Sequence, residues 1–174
     1  MLDVAVAYNR YKFLGNEFLT WLWYVIDNRI PVGGRDGALP GSVQIGNRIV
    51  LENNRNESVE HITIKGDDAG LEEGILALRK GAVVTELNLT YAVAANKWQF
   101  SIKGESLSIS GLKTPETGSI ESEDDTEGGI LEKVYLVETV VSLLDALFSI
   151  FIKLRIAQDW EQNVVPQIRD WLKQ

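Results

Sequence analysis

The chain has 174 residues, 45% of them apolar, which is enough for one domain, or one compact domain with a helical arm, around a sizeable core. It contains no cysteine and one histidine, which excludes disulfides and thiolate metal sites and leaves a histidine-clustered zinc site without its ligands. The net charge is −8 and falls unevenly: residues 1–104 carry 11 basic against 12 acidic side chains (11 − 12 = −1), and residues 105–174 carry 6 against 13 (6 − 13 = −7). Such an acidic balance opposes non-specific binding to phosphates.

The opening stretch, MLDVAVAYNRYK, has no basic leader followed by a long apolar run, so no signal peptide is expected. With the absence of cysteine, this fits a reducing compartment, and a cytoplasmic location is expected. The next stretch, Phe13 to Arg29, has almost no polar face: Phe18, Leu19, Trp21, Leu22, Trp23, Tyr24, Val25 and Ile26 are nearly continuous. A helix that is apolar all round is buried on several sides, in a core or in a subunit interface. PVGGRDGALPG, residues 31–41, reads as a Gly/Pro connector. No phosphate-binding glycine pattern follows a strand anywhere in the chain.

SVQI and RIVLEN flank Gly46-Asn47, which predicts a tight hairpin turn. After the polar turn NNRNES, VEHITIKG predicts a further strand. GDDAGLEEGILALRKG predicts a short helix, capped by Asp67 or Asp68 and closed by Gly81 after Arg79 and Lys80. In AVVTELNLTYAV, alternation predicts one face made of Val83, Thr85, Leu87, Leu89 and Tyr91. In KWQFSIKG, Trp98, Phe100 and Ile102 alternate with Lys97, Gln99, Ser101 and Lys103, and SLSISGL continues the alternation with Leu107 and Ile109. Such alternation marks an antiparallel sheet covered on one face.

TPETGSIESEDDTEGG, residues 114–129, reads as an acidic flexible loop, with an acidic mimic or regulatory segment as the functional alternative. Beyond it, Leu131, Val134, Tyr135, Val137, Val141, Leu144, Leu147, Phe148, Phe151 and Leu154 recur at three- and four-residue spacing. Val140, Leu143, Ile150 and Ile152 widen the stripe, which predicts a central core helix or a dimer seam. Val134 to Ile156 is long enough to suggest a membrane span, but Glu138, Asp145, Lys153 and Arg155 interrupt it. A buried or interfacial helix, with no membrane partner, is therefore expected. Pro166 predicts a kink or a new helix start within the last amphipathic unit.

The fold class expected is α+β: an antiparallel sheet packed on one face by helices, with a long C-terminal helical segment. Residues 1–113 form the sheet domain, 114–129 the acidic loop, and 130–174 helices that pack on the same domain or form an oligomer interface. Trp21, Trp23, Leu144, Phe148 and Phe151 are the interface candidates.

The chemistry is sparse. His61 sits in a strand with no nucleophile elbow and reads as a structural or surface histidine. Asp67-Asp68 and Glu123-Asp124-Asp125 are carboxylate groups suited to a hard cation, but helix capping and a solvated loop account for them more simply. No catalytic residue, metal or cofactor is expected. Lys97 and Lys103 on one strand, with Arg79 and Lys80 nearby in sequence, form a small candidate patch for nucleic acid.

EEGILALRKGAVVTELNLTY followed by WQFSIKGESLSISGLK resembles the C-terminal region of the bacterial recombination-associated RdgC family. The corresponding positions are Gly81, Val83-Val84-Thr85, Leu87, Leu89, Phe100, Leu107 and Leu112-Lys113. FLGNEFLTWLW resembles a further segment of such proteins, so the likeness covers roughly Phe13 to Lys113. It implies non-sequence-specific DNA binding by an oligomer, with a role in nucleoid organisation or in limiting recombinase action, and a ring-shaped dimer with a basic central hole. The chain is shorter than typical members, and it is acidic. The alternative, from charge and apolar helices alone, is an acidic interaction or assembly module with no nucleic-acid role. A homo-oligomer or a protein partner is expected on either reading.

Overall fold

A computed structural model describes residues 13–34, 37–55, 58–66, 68–117 and 125–174. The elements run α1 (Phe13–Asp27), β1 (Gly33–Gly34), β2 (Gly37–Ala38), β3 (Ser42–Arg55), β4 (Ser58–Lys65), α2 (Asp68–Arg79), β5 (Val83–Val93), β6 (Asn96–Lys103), β7 (Ser108–Lys113), α3 (Asp125–Arg155), a π-helical turn (Trp160–Val164) and α4 (Val165–Trp171). The first two strands form a small ladder within the Gly/Pro connector. The other five form one antiparallel sheet in the order β4-β3-β5-β6-β7, and the helices pack on one of its faces. The fold is α+β, as the periodicities predict.

Helix α1 is the centre of the core. Phe18, Leu19, Leu22 and Trp23 are fully enclosed, against Ile49 and Leu51 of β3, Leu87 and Leu89 of β5 and Phe100 and Ile102 of β6. Helix α3 lies on the same side, because the Trp98 indole donates to the Leu136 carbonyl oxygen at 3.1 Å. The C-terminal end folds back onto α1. Trp171 Nε1 donates to Asp27 Oδ2 at 2.6 Å, and the Tyr24 hydroxyl bonds to Gln167 Oε1 at 3.2 Å. Arg155 Nε reaches Glu17 Oε2 at 2.7 Å, with its guanidinium carbon 5.4 Å from the centre of the Trp160 ring. Pro166 falls where the winding changes: α4 continues directly from the π-helical turn, with Val164 and Val165 already in the helical conformation and the Val165 N–H donating to the Trp160 carbonyl.

Three local expectations are corrected. Gly46-Asn47 makes no hairpin turn; β3 runs straight through it. Both halves pair with β5, and the register jumps between Ile45↔Leu89 and Ile49↔Leu87, so residues 46–48 bulge opposite Asn88. The core face of β5 carries Val84 rather than Val83, which is exposed. Thr85 is the extra residue of a bulge, since Val84 pairs with Leu51 while Glu86 pairs with Val50, and one inserted residue inverts the alternation. The acidic stretch is shorter than expected. Residues 114–117 lack regular structure and 118–124 lie outside the described residues, but 125–129 are already helical despite Gly128-Gly129. Glycine costs about 1 kcal/mol in a helix, so the pair weakens the exposed first turns of this 31-residue helix without ending it.

Trp21, Trp23 and Phe151, expected as interface candidates, are interior residues of this chain. Their aromatic bulk fills the space between α1, α3 and the C-terminal turn, with Phe151 within 5.6 Å of both Trp21 and Trp160. Leu144 and Phe148 remain partly accessible. The N-terminal stretch read for a signal peptide, and Asp67, Glu123 and Asp124, lie outside the described residues.

Candidate nucleic-acid interface

The face of the sheet opposite the helices is the side that Lys97, Gln99, Ser101 and Lys103 take on β6, because Trp98, Phe100 and Ile102 take the other. Strand register extends this face sideways. Lys103 sits beside Glu86 of β5 and Ser108 of β7, and Gln99 sits beside Thr90 and Lys113. Val50 follows Glu86 on β3, and Arg48 on β3 pairs with Lys65 on β4. The open face therefore carries Arg48, Lys65, Lys97, Lys103 and Lys113 against Glu52 and Glu86. It is net positive in a chain whose net charge is −8.

The acids have specific partners. Arg48 Nη1 contacts Glu86 Oε1 at 3.1 Å, and His61 Nδ1 lies 3.6 Å from Glu52 Oε1. His61 is exposed on the outer rim of β4, as a surface histidine. Much of the acidic excess lies on the other side of the molecule, where α3 carries Glu132, Glu138 and Asp145. A helix with its side chains is about 10 Å across, and the Debye length at physiological salt is about 8 Å. Acids beyond that layer are largely screened from anything bound on the open face.

The middle of the face is neutral and tightly bonded. Asn88 Nδ2 donates to Ser101 Oγ at 3.0 Å and to the Phe100 carbonyl at 3.1 Å, while Gln99 Nε2 donates to Asn88 Oδ1 at 3.3 Å. Asn88 and Ser101 are buried although no helix among the described residues covers this side. The β3 bulge does the covering: a Cβ on Gly46 would lie 1.9 Å from Asn88 Oδ1. Replacing Gly46 by alanine is expected to displace the Asn88 amide and destabilise the chain by about 2 kcal/mol, in the range of overpacking a tight site. Thermal denaturation checks this, and an unchanged midpoint would show that the bulge yields freely.

The four-residue patch read from sequence is split. Lys97 and Lys103 share the open face, 103 near one end of β6 and 97 at the other. Arg79 and Lys80 close α2 on the helical side, and Arg79 Nε donates to the Leu172 carbonyl oxygen. Arg79 thus ties α2 to the C-terminus, and its place in the patch is withdrawn. Arg48, Lys65 and Lys113 were missed, because only the pairing of the strands puts β3, β4 and β7 in one sheet with β6. A signal was present for two of them: Arg48 and Lys65 follow the alternation of their strands, whereas Lys113 reaches the open face only through the register shift between Ser101↔Ser110 and Gln99↔Lys113.

All aromatic side chains of the sheet, Tyr91, Trp98 and Phe100, lie on the core side. Tyr91 donates its hydroxyl to the Pro40 carbonyl at 2.6 Å, and burial, with a smaller contribution from Tyr135, holds that hydroxyl above its ordinary pKa. The open face thus offers cations and amide or hydroxyl groups, and no ring on which a base could stack. Among the described residues no three metal-ligating side chains gather in one place. Set beside known proteins, the chain matches no protein-family model and no curated protein.

Proposed function

We propose that the chain is a non-catalytic DNA-associated protein, as the RdgC resemblance implies, and that it holds the sugar–phosphate backbone against the open face of its sheet. The observation that carries this reading is the segregation of charge: Arg48, Lys65, Lys97, Lys103 and Lys113 lie on one face of an otherwise acidic chain. Lysines and hydroxyls on a broad sheet neutralise phosphates and donate to their oxygens without reading base edges. With no aromatic platform on that face, single strands gain little there, and duplex DNA bound without sequence preference is the fitting ligand. A role in recombination or nucleoid organisation follows from the resemblance alone.

The experiment is fluorescence anisotropy with labelled duplex at low salt. Lys97→Glu, Lys103→Glu and Lys113→Glu combined are expected to weaken binding at least tenfold. The slope of log affinity against log salt should fall by about 3, near 0.9 for each phosphate no longer neutralised. Lys80→Glu, on the helical side, should change neither quantity. No binding by the unaltered chain at micromolar concentration, or equal binding by the triple variant, removes the open face from the account.

A further inference from the structure

Helix α3 carries two apolar stripes. Leu136, Val140, Leu143, Leu147 and Phe151 face the core and are buried. About a quarter-turn round the helix, at 100° per residue, lies a second row: Ile130, Val134, Val137, Val141, Leu144 and Phe148. Its steps alternate strictly between four and three residues, the 3.5-residue repeat by which one helix tracks along another. Ile130, Val134, Val137 and Val141 are 56, 47, 44 and 52% exposed.

We propose that this seam is an interface with a second copy of this chain, the two α3 helices lying parallel and in register around Val137 and Val141. Two observations favour that occupant. The exposed part of the row presents on the order of 400 Å² of contiguous apolar surface, the size of the largest patches that monomers carry, which are often binding surfaces. The flanking charges also match. Lys133 precedes Val134 on one edge and Glu138 follows Val137 on the other, so a parallel pair sets each Lys133 beside the partner's Glu138. An antiparallel pair centred on Val141 would instead set Glu138 near the partner's Asp145.

The segment Thr126–Arg155 is also long and apolar enough to cross a membrane by length and composition. Glu132, Lys133, Glu138 and Asp145 lie along that length, and charges at such depth are costly. The seam lies on the helical side, away from the open sheet face, so this proposal and the DNA reading stand or fall separately.

The test uses the full chain. Light scattering at micromolar concentration should give a dimer, and Val141→Glu should raise its dissociation constant at least 100-fold with the far-UV circular dichroism unchanged. Because the chain has no cysteine, Ile130→Cys and Val137→Cys each introduce a single thiol. In a parallel, in-register pair both variants cross-link to themselves under mild oxidation; an antiparallel pair permits at most one. This readout stands even if Val141→Glu fails to fold. A monomer at tens of micromolar, a dimer indifferent to Val141→Glu, or cross-linking by fewer than both cysteines overturns the proposal. So does flotation with phosphatidylglycerol vesicles that Val141→Glu abolishes, which would assign the seam to a membrane.

Discussion

Replacing Phe151 by alanine is expected to lower stability by about 4 kcal/mol, within the 3–5 kcal/mol range for removing a buried aromatic ring. The side chain is fully enclosed. Its ring centre lies 5.5 Å from Phe18, 5.6 Å from Trp21, 6.0 Å from Phe148 and 5.5 Å from Trp160. Those partners come from α1, α3 and the π-helical turn, so the truncation leaves a cavity where three elements meet. None of them can collapse into it alone: α1 is pinned against the sheet, and Trp160 is held beside Arg155, itself paired with Glu17. For a chain of this length the loss corresponds to a fall of roughly 8–16 °C in melting temperature, at about 2–4 °C per kcal/mol. Urea denaturation followed by tryptophan fluorescence measures it directly. A loss below about 1 kcal/mol would show that the pocket repacks, and that the aromatic cluster is not the unit that joins the helices to each other.

Phe151 also shows where the sequence was ambiguous. Its stripe on α3 was legible from spacing, and so was the excess of apolar residues over what one face needs. Which part of the excess turns inward was not, because periodicity gives the angles between side chains and says nothing of where the neighbours stand. The helix resolves into an inner row ending at Phe151 and an outer row through Val137 and Val141, and both were merged in the sequence as one wide stripe. Trp21 and Trp23 were ambiguous for the same reason: an all-apolar helix has no polar side to orient it. In the sheet, alternation placed Lys97 and Lys103 correctly, since β6 is regular from end to end against β5. It failed at Val83, where a single bulged residue reverses the face. It failed again at Gly46-Asn47, where a favourable turn dipeptide lies in a continuous strand because both flanks find the same partner, β5. The basic face escaped detection because its cations are distant in sequence and become neighbours only through long-range pairing.

Gly15→Ala sets local helix propensity against packing, and packing is expected to win. In an exposed helix the change would stabilise by about 1 kcal/mol. Here a Cβ would lie 1.7 Å from the Gly104 carbonyl oxygen and 2.5 Å from the Gly104 carbonyl carbon, both backbone atoms. Gly104 cannot easily retreat, because its N–H donates to the Thr85 carbonyl at 2.8 Å and it directly follows β6. It is also constrained from the other side, since a Cβ on Gly104 would meet Asn16 Oδ1 at 2.6 Å. The helix must therefore move outward by more than 1 Å, a shift that the close-packed residues Phe18, Leu19, Leu22 and Trp23 would all feel. A net destabilisation of about 2 kcal/mol is expected, the upper end of overpacking costs, about 3 kcal/mol, less the propensity gain of about 1. Gly128→Ala near the start of α3 is the matched control. A Cβ there would meet nothing within 4 Å, so only the propensity term remains, and a stabilisation of up to about 1 kcal/mol is expected. Opposite signs for these two glycine-to-alanine changes, measured by chemical denaturation under the same conditions, would establish that α1 docks backbone-to-backbone on the β6–β7 turn. The same sign for both would mean that α1 has room to move, and that the position of the helical layer over the sheet is set by its aromatic side chains rather than by this close approach.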